Sequence, residues 1–428
     1  MTSPLRLGIA GLGTVGAGVV KIIRAEAEML AARAGRPVTI SAVSARSRDK
    51  DRGVSLKDYA WEDDPVALAK RDDVDVFVEL MGGSDGPAKA ATEAALAAGK
   101  DVVTANKAML ALHGQALAEQ AEGAGRVIRF EAAVAGGIPV VKSLTEGLAG
   151  NTMTRVMGVM NGTCNYILTR MESAGLPYEE VFEEANKLGY LEADPTLDVG
   201  GIDAGHKLAL LASIAFGTKV NFGAMQLEGI ERISIDDITR AGDMGYKVKL
   251  LGVAQMTGRG LEQRMSPCLV PATSPLGQLE NATNMVVLEG DQVGQIVLRG
   301  AGAGEGPTAS AVMSDVMDIA RGIRVPTFGQ PADTLKDAQA ANELQPAAYY
   351  LRMELQDKPG ALSKVATVLG EHGISIDRMR QYDHDMGTAP VLIVTHKTTK
   401  DALTSALEGF GATGVVATPP VAIRIEEV

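Results

Sequence analysis

Residues 5–25, "LRLGIAGLGTVGAGVVKIIRA", decide how this chain begins to fold. Leu5, Leu7 and Ile9 alternate as on a strand, and Gly11, Gly13 and Gly16 follow in G-x-G-x-x-G spacing. A helix-forming run opens at Thr14. Glycines at that spacing mean little alone. Between a strand and a helix they permit a sharp turn and close backbone approach, so a pyrophosphate can rest on the first N–H groups of the helix. That reading assigns Gly11, Gly13, Thr14, Val15 and Gly16 to a dinucleotide. The alternative is a tight turn that binds nothing.

Outward from this stretch, short β-rich runs alternate with alanine-rich helical ones. "VTISAVSA" (38–45), "VDVFVELM" (74–81), "DVVTA" (101–105) and "RVIRFEAAV" (126–134) read as strands, and 14–33, 87–98 and 108–122 as helices. This alternation predicts an α/β domain of Rossmann type over 1–135, a parallel sheet covered on both faces. Residues 136–330 change character. Helical stretches at 139–149, 165–174, 178–188 and 203–216 precede the strand-like runs "KVKLLGVAQM" (247–256), "NMVVLEG" (284–290) and "QIVLRG" (295–300). They predict an α+β domain, of a kind whose sheet often carries a dimer contact although nothing in the sequence shows one, and the amphipathic run 308–322 could return to pack on the first block. Residues 331–348 read as a polar linker, and 349–428 as β-α-β-β-α-β, a ferredoxin-like sandwich.

A chain of 428 residues is long enough for two or three domains. Acids outnumber Lys and Arg by 53 to 41, a net charge of −12, which argues against nucleic acid or an anionic membrane as partner. Cys164 and Cys268 give neither a disulfide framework nor a zinc cluster. The five histidines have no metal-ligand spacing, and a reducing cytoplasmic compartment is expected. Glycines interrupt the N-terminal apolar run, and the apolar run 208–216 is too short to span a bilayer.

Three further stretches carry chemistry. An NAD-selective site ends its second strand with an acid on the ribose hydroxyls, whereas here the strand ends "SARSRDK" (44–50). Arg46 at that place would welcome a 2′-phosphate, so NADP is favoured and NAD remains open. "VTANK" (103–107) ends the fourth strand with Lys107, where ligands of open α/β sheets lie. Then "EADPTLDVGGIDAGHK" (192–207) crowds acids and glycines ahead of an apolar helix. Asp203 and Lys207, four apart, share a helix face. The acids could bind an ammonium group, Lys207 could exchange a proton with a reacting oxygen, and glycines 200, 201 and 205 could let backbone approach a ligand. A plain salt bridge at a helix start is the alternative.

Taken in order, "GLGTVG", "VELMGG" (78–83), "TANK" (104–107), "FEAAVAGGIP" (130–139), "NGTCNYI" (161–167), "ANKLGYLEADPTLDVGGIDAGHK" (185–207) and "GAGAGEGPTAS" (300–310) resemble homoserine dehydrogenase over about 1–322. The last 80 residues resemble an ACT domain, a regulatory module. The resemblance implies interconversion of L-homoserine and L-aspartate 4-semialdehyde in threonine, methionine and isoleucine biosynthesis. It implies Lys207 as acid/base and Lys107 at the cofactor and reacting centre. Glu192, Asp198, Asp203, Gly162, Thr163 and Tyr190 would bind substrate, and Gly304 and Thr308 would form a loop returning to the site. Glu131, Val134, Gly136 and Ile138 would hold a monovalent cation such as sodium, largely through carbonyls. Threonine is the expected effector, and a homodimer or homotetramer the expected assembly. Leu191 departs from the small residue usual there. Two rivals remain: aspartate-semialdehyde dehydrogenase, with Cys164 as nucleophile, and a non-catalytic nucleotide and amino-acid sensor.

Overall fold

The computed structural model describes residues 3–191, 194–382 and 387–428. The chain starts with β1 (Leu5–Ala10), α1 (Thr14–Ala25), α2 (Ala27–Ala34), β2 (Val38–Ser44), β3 (Ala60–Glu62) and α3 (Pro65–Lys70). It continues through β4 (Val76–Glu79), α4 (Pro87–Ala97), β5 (Asp101–Thr104), α5 (Lys107–Gly123) and β6 (Ile128–Arg129). These strands form one sheet in the order β3-β2-β1-β4-β5-β6, parallel throughout. Alternation along the strands explains the two covered faces. Val76 and Val78 join Leu7, Ile9 and the α1 residues Val19 and Val20 on one face, while Phe77 joins Leu96, Leu110 and Leu117 on the other. Strand order reverses between β1 and β4, so a crevice opens at their carboxyl ends. Buried Glu79 organises that rim: it accepts from Thr104 Oγ1 at 2.6 Å and from the Met81 N–H at 2.7 Å.

The next elements are α6 (Val140–Lys142), β7 (Met153–Val159), α7 (Gly162–Ala174), α8 (Tyr178–Lys187), α9 (Thr196–Val199), α10 (Ile202–Phe216) and β8 (Gln226–Leu227). They are followed by α11 (Ile235–Asp243), β9 (Tyr246–Thr257), β10 (Gly260–Pro271), β11 (Thr283–Gly290), β12 (Gly294–Ala301) and α12 (Glu305–Ala320). Helix α12 packs on α1, as its amphipathic pattern predicted. The crossing is close because residue 18 is glycine: a Cβ there would stand 2.8 Å from Glu305 Cγ. Lys21 and Glu305 pair across the contact at 2.7 Å.

Beyond residue 348 lie β13 (Tyr349–Gln356), α13 (Ala361–Glu371), β14 (Ile376–Gln381), β15 (Thr388–Thr395), α14 (Lys400–Ala412) and β16 (Val421–Ile425). Their order β16-β13-β15-β14 is antiparallel, with both helices over one apolar cluster. The second sheet does not stop at this module. It runs β12-β11-β7-β9-β10-β16-β13-β15-β14, joined by the parallel pairs Cys268↔Arg424 and Leu269↔Ile425.

Several elements differ from their sequence reading. The helix expected over 14–33 breaks at Glu26, whose ψ of 21° leaves the helical range. The strand expected over 126–134 shrinks to β6, because the chain coils through Glu131–Ala133 to send the Glu131 carboxylate to the Val141 and Lys142 N–H groups. The polar stretch 331–348 does not hang free: Lys336 O and Gln339 O accept from Lys219 and Leu261 at 2.8 Å each.

Candidate active site

A cavity of about 550 Å³ opens between the glycine loop after β1, the start of α7, α10 and the start of α12. Its wall includes Val15, Lys107, Gly136, Gly162, Thr163, Tyr190, Asp198, Asp203, Lys207, Gly304 and Thr308. Residues from the first and second blocks of the chain thus meet at one place, and these eleven were singled out in the sequence.

The charged centre is built on α10. Asp203 lies in its first turn and Lys207 one turn later, so the i,i+4 spacing sets Lys207 Nζ 2.6 Å from Asp203 Oδ2. Lys107, the first residue of α5, reaches the other carboxylate oxygen at 3.0 Å. Burial alone would raise the Asp203 pKa, but the Lys207 and Lys107 ammonium groups outweigh it and hold the carboxyl well below the usual range. Asp203 is therefore ionised at any working pH. Lys207 Nζ also donates to the Met160 carbonyl at 2.9 Å. Among the described residues two of its three N–H donors are thereby engaged, which leaves one for an oxygen in the cavity.

Asn161 was not singled out in the sequence. Its Oδ1 caps α7 through the Cys164 N–H at 2.8 Å, while Nδ2 donates to Asp198 at 2.9 Å and Asp203 at 3.4 Å. An asparagine before a helical run is an N-cap signal, and that was the available clue. Thr163 Oγ1 donates to the Tyr190 carbonyl at 3.0 Å, and the Tyr190 ring meets Tyr166 edge-on at 4.8 Å. Glu192 lies outside the described residues. Leu191 is partly buried against the central core and does not line the cavity.

The glycines ahead of Lys207 serve a different end from the one their spacing suggested. A Cβ on Gly200 would meet Thr196 O at 2.6 Å, and one on Gly205 would crowd Leu227, Met225 and Phe222 at about 3 Å. Gly201 starts α10 at φ +79° beside Met265. All three let the chain pack against itself. The His206 ring lies 4.3 Å from that of Phe222, and burial pushes its pKa down against the opposing pull of Asp203.

The glycine loop fits a dinucleotide. Gly11 turns at φ +97°, and a Cβ on Gly16 would stand 2.1 Å from Gly11 O. Among the described residues nothing stands within 4 Å of where a Cβ on Gly13 would lie, and none caps the start of α1 with a side chain. Gly304 starts α12 in the same way. Two uncapped helix starts therefore offer N–H groups to an anion. Thr14 is exposed beside them, and Arg46 is exposed just past β2. Arg52, which carried no sequence signal, ties this rim together: it donates to Leu12 O at 3.0 Å and to Lys50 O at 2.7 Å.

The four residues expected around a cation sit deeper. Glu131, Val134 and Ile138 are buried, and Ala135 and Gly136 adopt φ of +56° and +52°. Among the described residues no backbone N–H is donated to the Val134 or Gly136 carbonyl, so both fit an oxygen-liganded ion. Burial pushes the Glu131 carboxyl up to about 7. Cys164 has no nucleophile's setting: it is fully buried, and burial raises its thiol pKa well above normal.

Comparison with known proteins agrees with this geometry. The family model for the homoserine dehydrogenase NAD binding domain matches residues 11–131, that for homoserine dehydrogenase matches 139–317, and that for the ACT domain 349–411. A homoserine dehydrogenase of Neisseria gonorrhoeae is 42% identical over 99% of both chains. The solved homoserine dehydrogenase from Thiobacillus denitrificans is similar at a TM-score of 0.93 and 38% identity, covering 99% of this chain and 98% of that one. A hyperthermophilic archaeal homoserine dehydrogenase in complex with NADPH gives a TM-score of 0.63 at 25% identity, over 76% of this chain and 99% of that one.

Proposed function

The chain belongs to the homoserine dehydrogenase family of NAD(P)-dependent oxidoreductases, and from that premise we propose that Lys207 carries the proton in interconverting L-homoserine and L-aspartate 4-semialdehyde. A nicotinamide dinucleotide held at the Gly11–Gly16 loop and the start of α12 would supply the hydride to C4 of the aldehyde, or accept it from C4 of the alcohol. In reduction the remaining N–H of Lys207 protonates the C4 oxygen, and in oxidation the lysine takes that proton back. Asp203 holds Lys207 and Lys107 in place and stays ionised throughout. Asp198 takes the α-ammonium of the substrate together with Glu192, while Gly162, Thr163 and Tyr190 wall the pocket. The observation that carries this reading is one buried carboxylate shared by two lysines, in the wall of a cavity that Val15 at the start of α1 and Gly304 at the start of α12 also line.

Finer assignments follow from the same reading. Arg46, exposed at the end of β2, favours NADP over NAD. Glu131, Val134, Gly136 and Ile138 hold a monovalent cation. The enzyme works in the cytoplasm as a homodimer or homotetramer, at a step toward threonine, methionine and isoleucine. The C-terminal module, 349–428, after the linker 331–348, takes threonine as inhibitor, with "DKPGALSKV" (357–365) placing Gly360 at the start of α13. The dinucleotide-binding domain covers 1–135 and the substrate domain 136–330.

Initial rates of homoserine oxidation with NADP⁺ and NAD⁺ side by side test the core of this. Turnover favouring NADP⁺ supports both the reaction and Arg46, and turnover favouring NAD⁺ removes the role of Arg46. Dinucleotide binding without turnover would instead favour a sensor. Threonine titration tests the module, and unchanged rates at millimolar threonine would remove the feedback assignment.

A further inference from the structure

Asn284 is the second residue of β11 and is 1% exposed, yet its Oδ1 has no hydrogen-bond partner among the described residues. Asn284 is among the residues that line the cavity holding Lys207. Its position is tightly fixed. A Cβ on Gly302 would stand 2.0 Å from Asn284 Nδ2, and one on Gly162 3.3 Å from Oδ1. The amide is thus wedged between the loop feeding α12 and the start of α7, and only glycine at 302 leaves room for it. Alternation along β11 turns Asn284 with Val286 and Leu288 toward the helices, away from the sheet face that buries Met285 and Val287. A buried acceptor left without a donor destabilises a fold, so an orphan in a cavity wall points to a donor that arrives with the ligand.

We propose that Asn284 recognises the carboxamide of the nicotinamide ring, its Oδ1 accepting a hydrogen bond from the amide N–H₂. The inference rests on the dinucleotide reading and adds to it the residue that orients the ring. Three observations favour a neutral amide over the substrate ammonium. Asn284 carries no charge, whereas the carboxylates of Asp198 and Asp203 stand in the same wall and make the stronger, charge-assisted partners for an ammonium. The wall also includes Val15 and Gly304, from the two helix starts that suit the pyrophosphate. Ala132, Ala133 and Ala135 supply an apolar surface suited to a flat ring. Asn284 further sits on a strand rather than a loop, which holds such a contact rigid.

The test compares binding of NADP⁺ with its 3-acetylpyridine analogue, in which a methyl ketone replaces the carboxamide and no N–H remains. Calorimetric dissociation constants are measured for the wild type, Asn284→Ala and Asn284→Asp, alongside the KM for homoserine. The wild type should bind the carboxamide form about tenfold more tightly, the yield of one good buried hydrogen bond. Asn284→Ala should bring that ratio close to one, and Asn284→Asp, which keeps an acceptor, should restore most of it. A purely structural role would weaken both ligands alike and leave the ratio unchanged, which would overturn the proposal. A raised homoserine KM with an unchanged ratio would overturn it too, in favour of the ammonium. Dinucleotide binding by a wild type that fails to oxidise homoserine would sink the substrate reading and leave this one testable by the ratio. A wild type that binds no dinucleotide would end both.

Discussion

At the residue scale the site reduces to one carboxylate between two ammonium groups. Lys207→Ala should lower kcat by about 10²–10⁴-fold, the usual contribution of a positioned acid or base. The dissociation constant for the dinucleotide should hold within about twofold, because among the described residues Lys207 bonds to Asp203 and the Met160 carbonyl, neither of them in the glycine loop. A loss confined to homoserine KM would instead make Lys207 a binding group. Asp203→Asn removes the charge facing both lysines, so it should cost activity and also loosen the α5–α10 contact. The Asp203–Lys207 half of this centre was legible from helical spacing alone. Position in the sequence marked Lys107 as a residue at a strand end, and only the resemblance placed it at the reacting centre, because its approach to Asp203 spans 96 positions and depends on how two domains meet. Asn161 and Asn284 were less visible still. Each is a single polar residue at the start of an element, and their significance comes from neighbours distant in sequence.

At the element scale, backbone polar groups and buried charge account for the differences between pattern and structure. The sequence stretch 126–134 alternates well enough for a strand, but Glu131 cannot lie in one and also accept from Val141 and Lys142. Strand β10 was missed for the opposite reason. Its run "LEQRMSPCLV" (261–270) contains Glu262, Arg264 and Pro267, and the two charges are buried as an ion pair at 3.1 Å. The group around Glu131 carries a pH signature. Arg129 and Lys142 face Glu131, Glu146, Asp315 and Asp318, two cations against four carboxylates. Burial raises Glu131 to about 7 and Asp315 to about 6, so the folded chain holds protons that the unfolded chain releases near pH 4. Between about pH 4 and these two values the native state binds more protons, and stability should fall as pH rises through that window. Urea midpoints followed from pH 4.5 to 7.5 should decline in the wild type and decline less in Asp315→Asn. Parallel curves would show that Asp315 is ionised across the whole range.

At the scale of the whole molecule, the unexpected feature is a shared sheet. The last module reads as self-contained, because alternation reveals which face of a strand is buried and says nothing about what borders its edge. In the structure that edge is β16, and it meets β10 through two residue pairs. So short a seam needs reinforcement, and Glu426 provides it. The Glu426 N–H donates to Leu269 O at 2.8 Å, and its carboxylate bonds Arg264 on β10, Arg424 on β16 and, at 2.7 Å, Arg155 on β7. Burial alone would raise its pKa, but Arg264 and Arg424 pull it below the ordinary carboxylate value, so it is charged. Strand β7 runs on to Met160 and Asn161, which bond Lys207 and the two aspartates. Glu426 therefore touches a strand that ends in the active site. Glu426→Gln keeps the shape and removes the charge, leaving Glu262 as the carboxylate paired with buried Arg264 among the described residues. Such half-broken buried pairs cost about 3 kcal/mol, and the loss should be nearly the same at 0.1 and 1 M salt because solvent ions do not screen a buried pair. If the module reports to the active site through this seam, the variant should keep its basal rate within a few-fold and show a weakened threonine response. Denaturation midpoints at the two salt concentrations, measured beside threonine inhibition curves, separate the possibilities. Loss of stability with an intact threonine response would make Glu426 only a clasp, and an unchanged midpoint would mean that the seam is held by its backbone pairs.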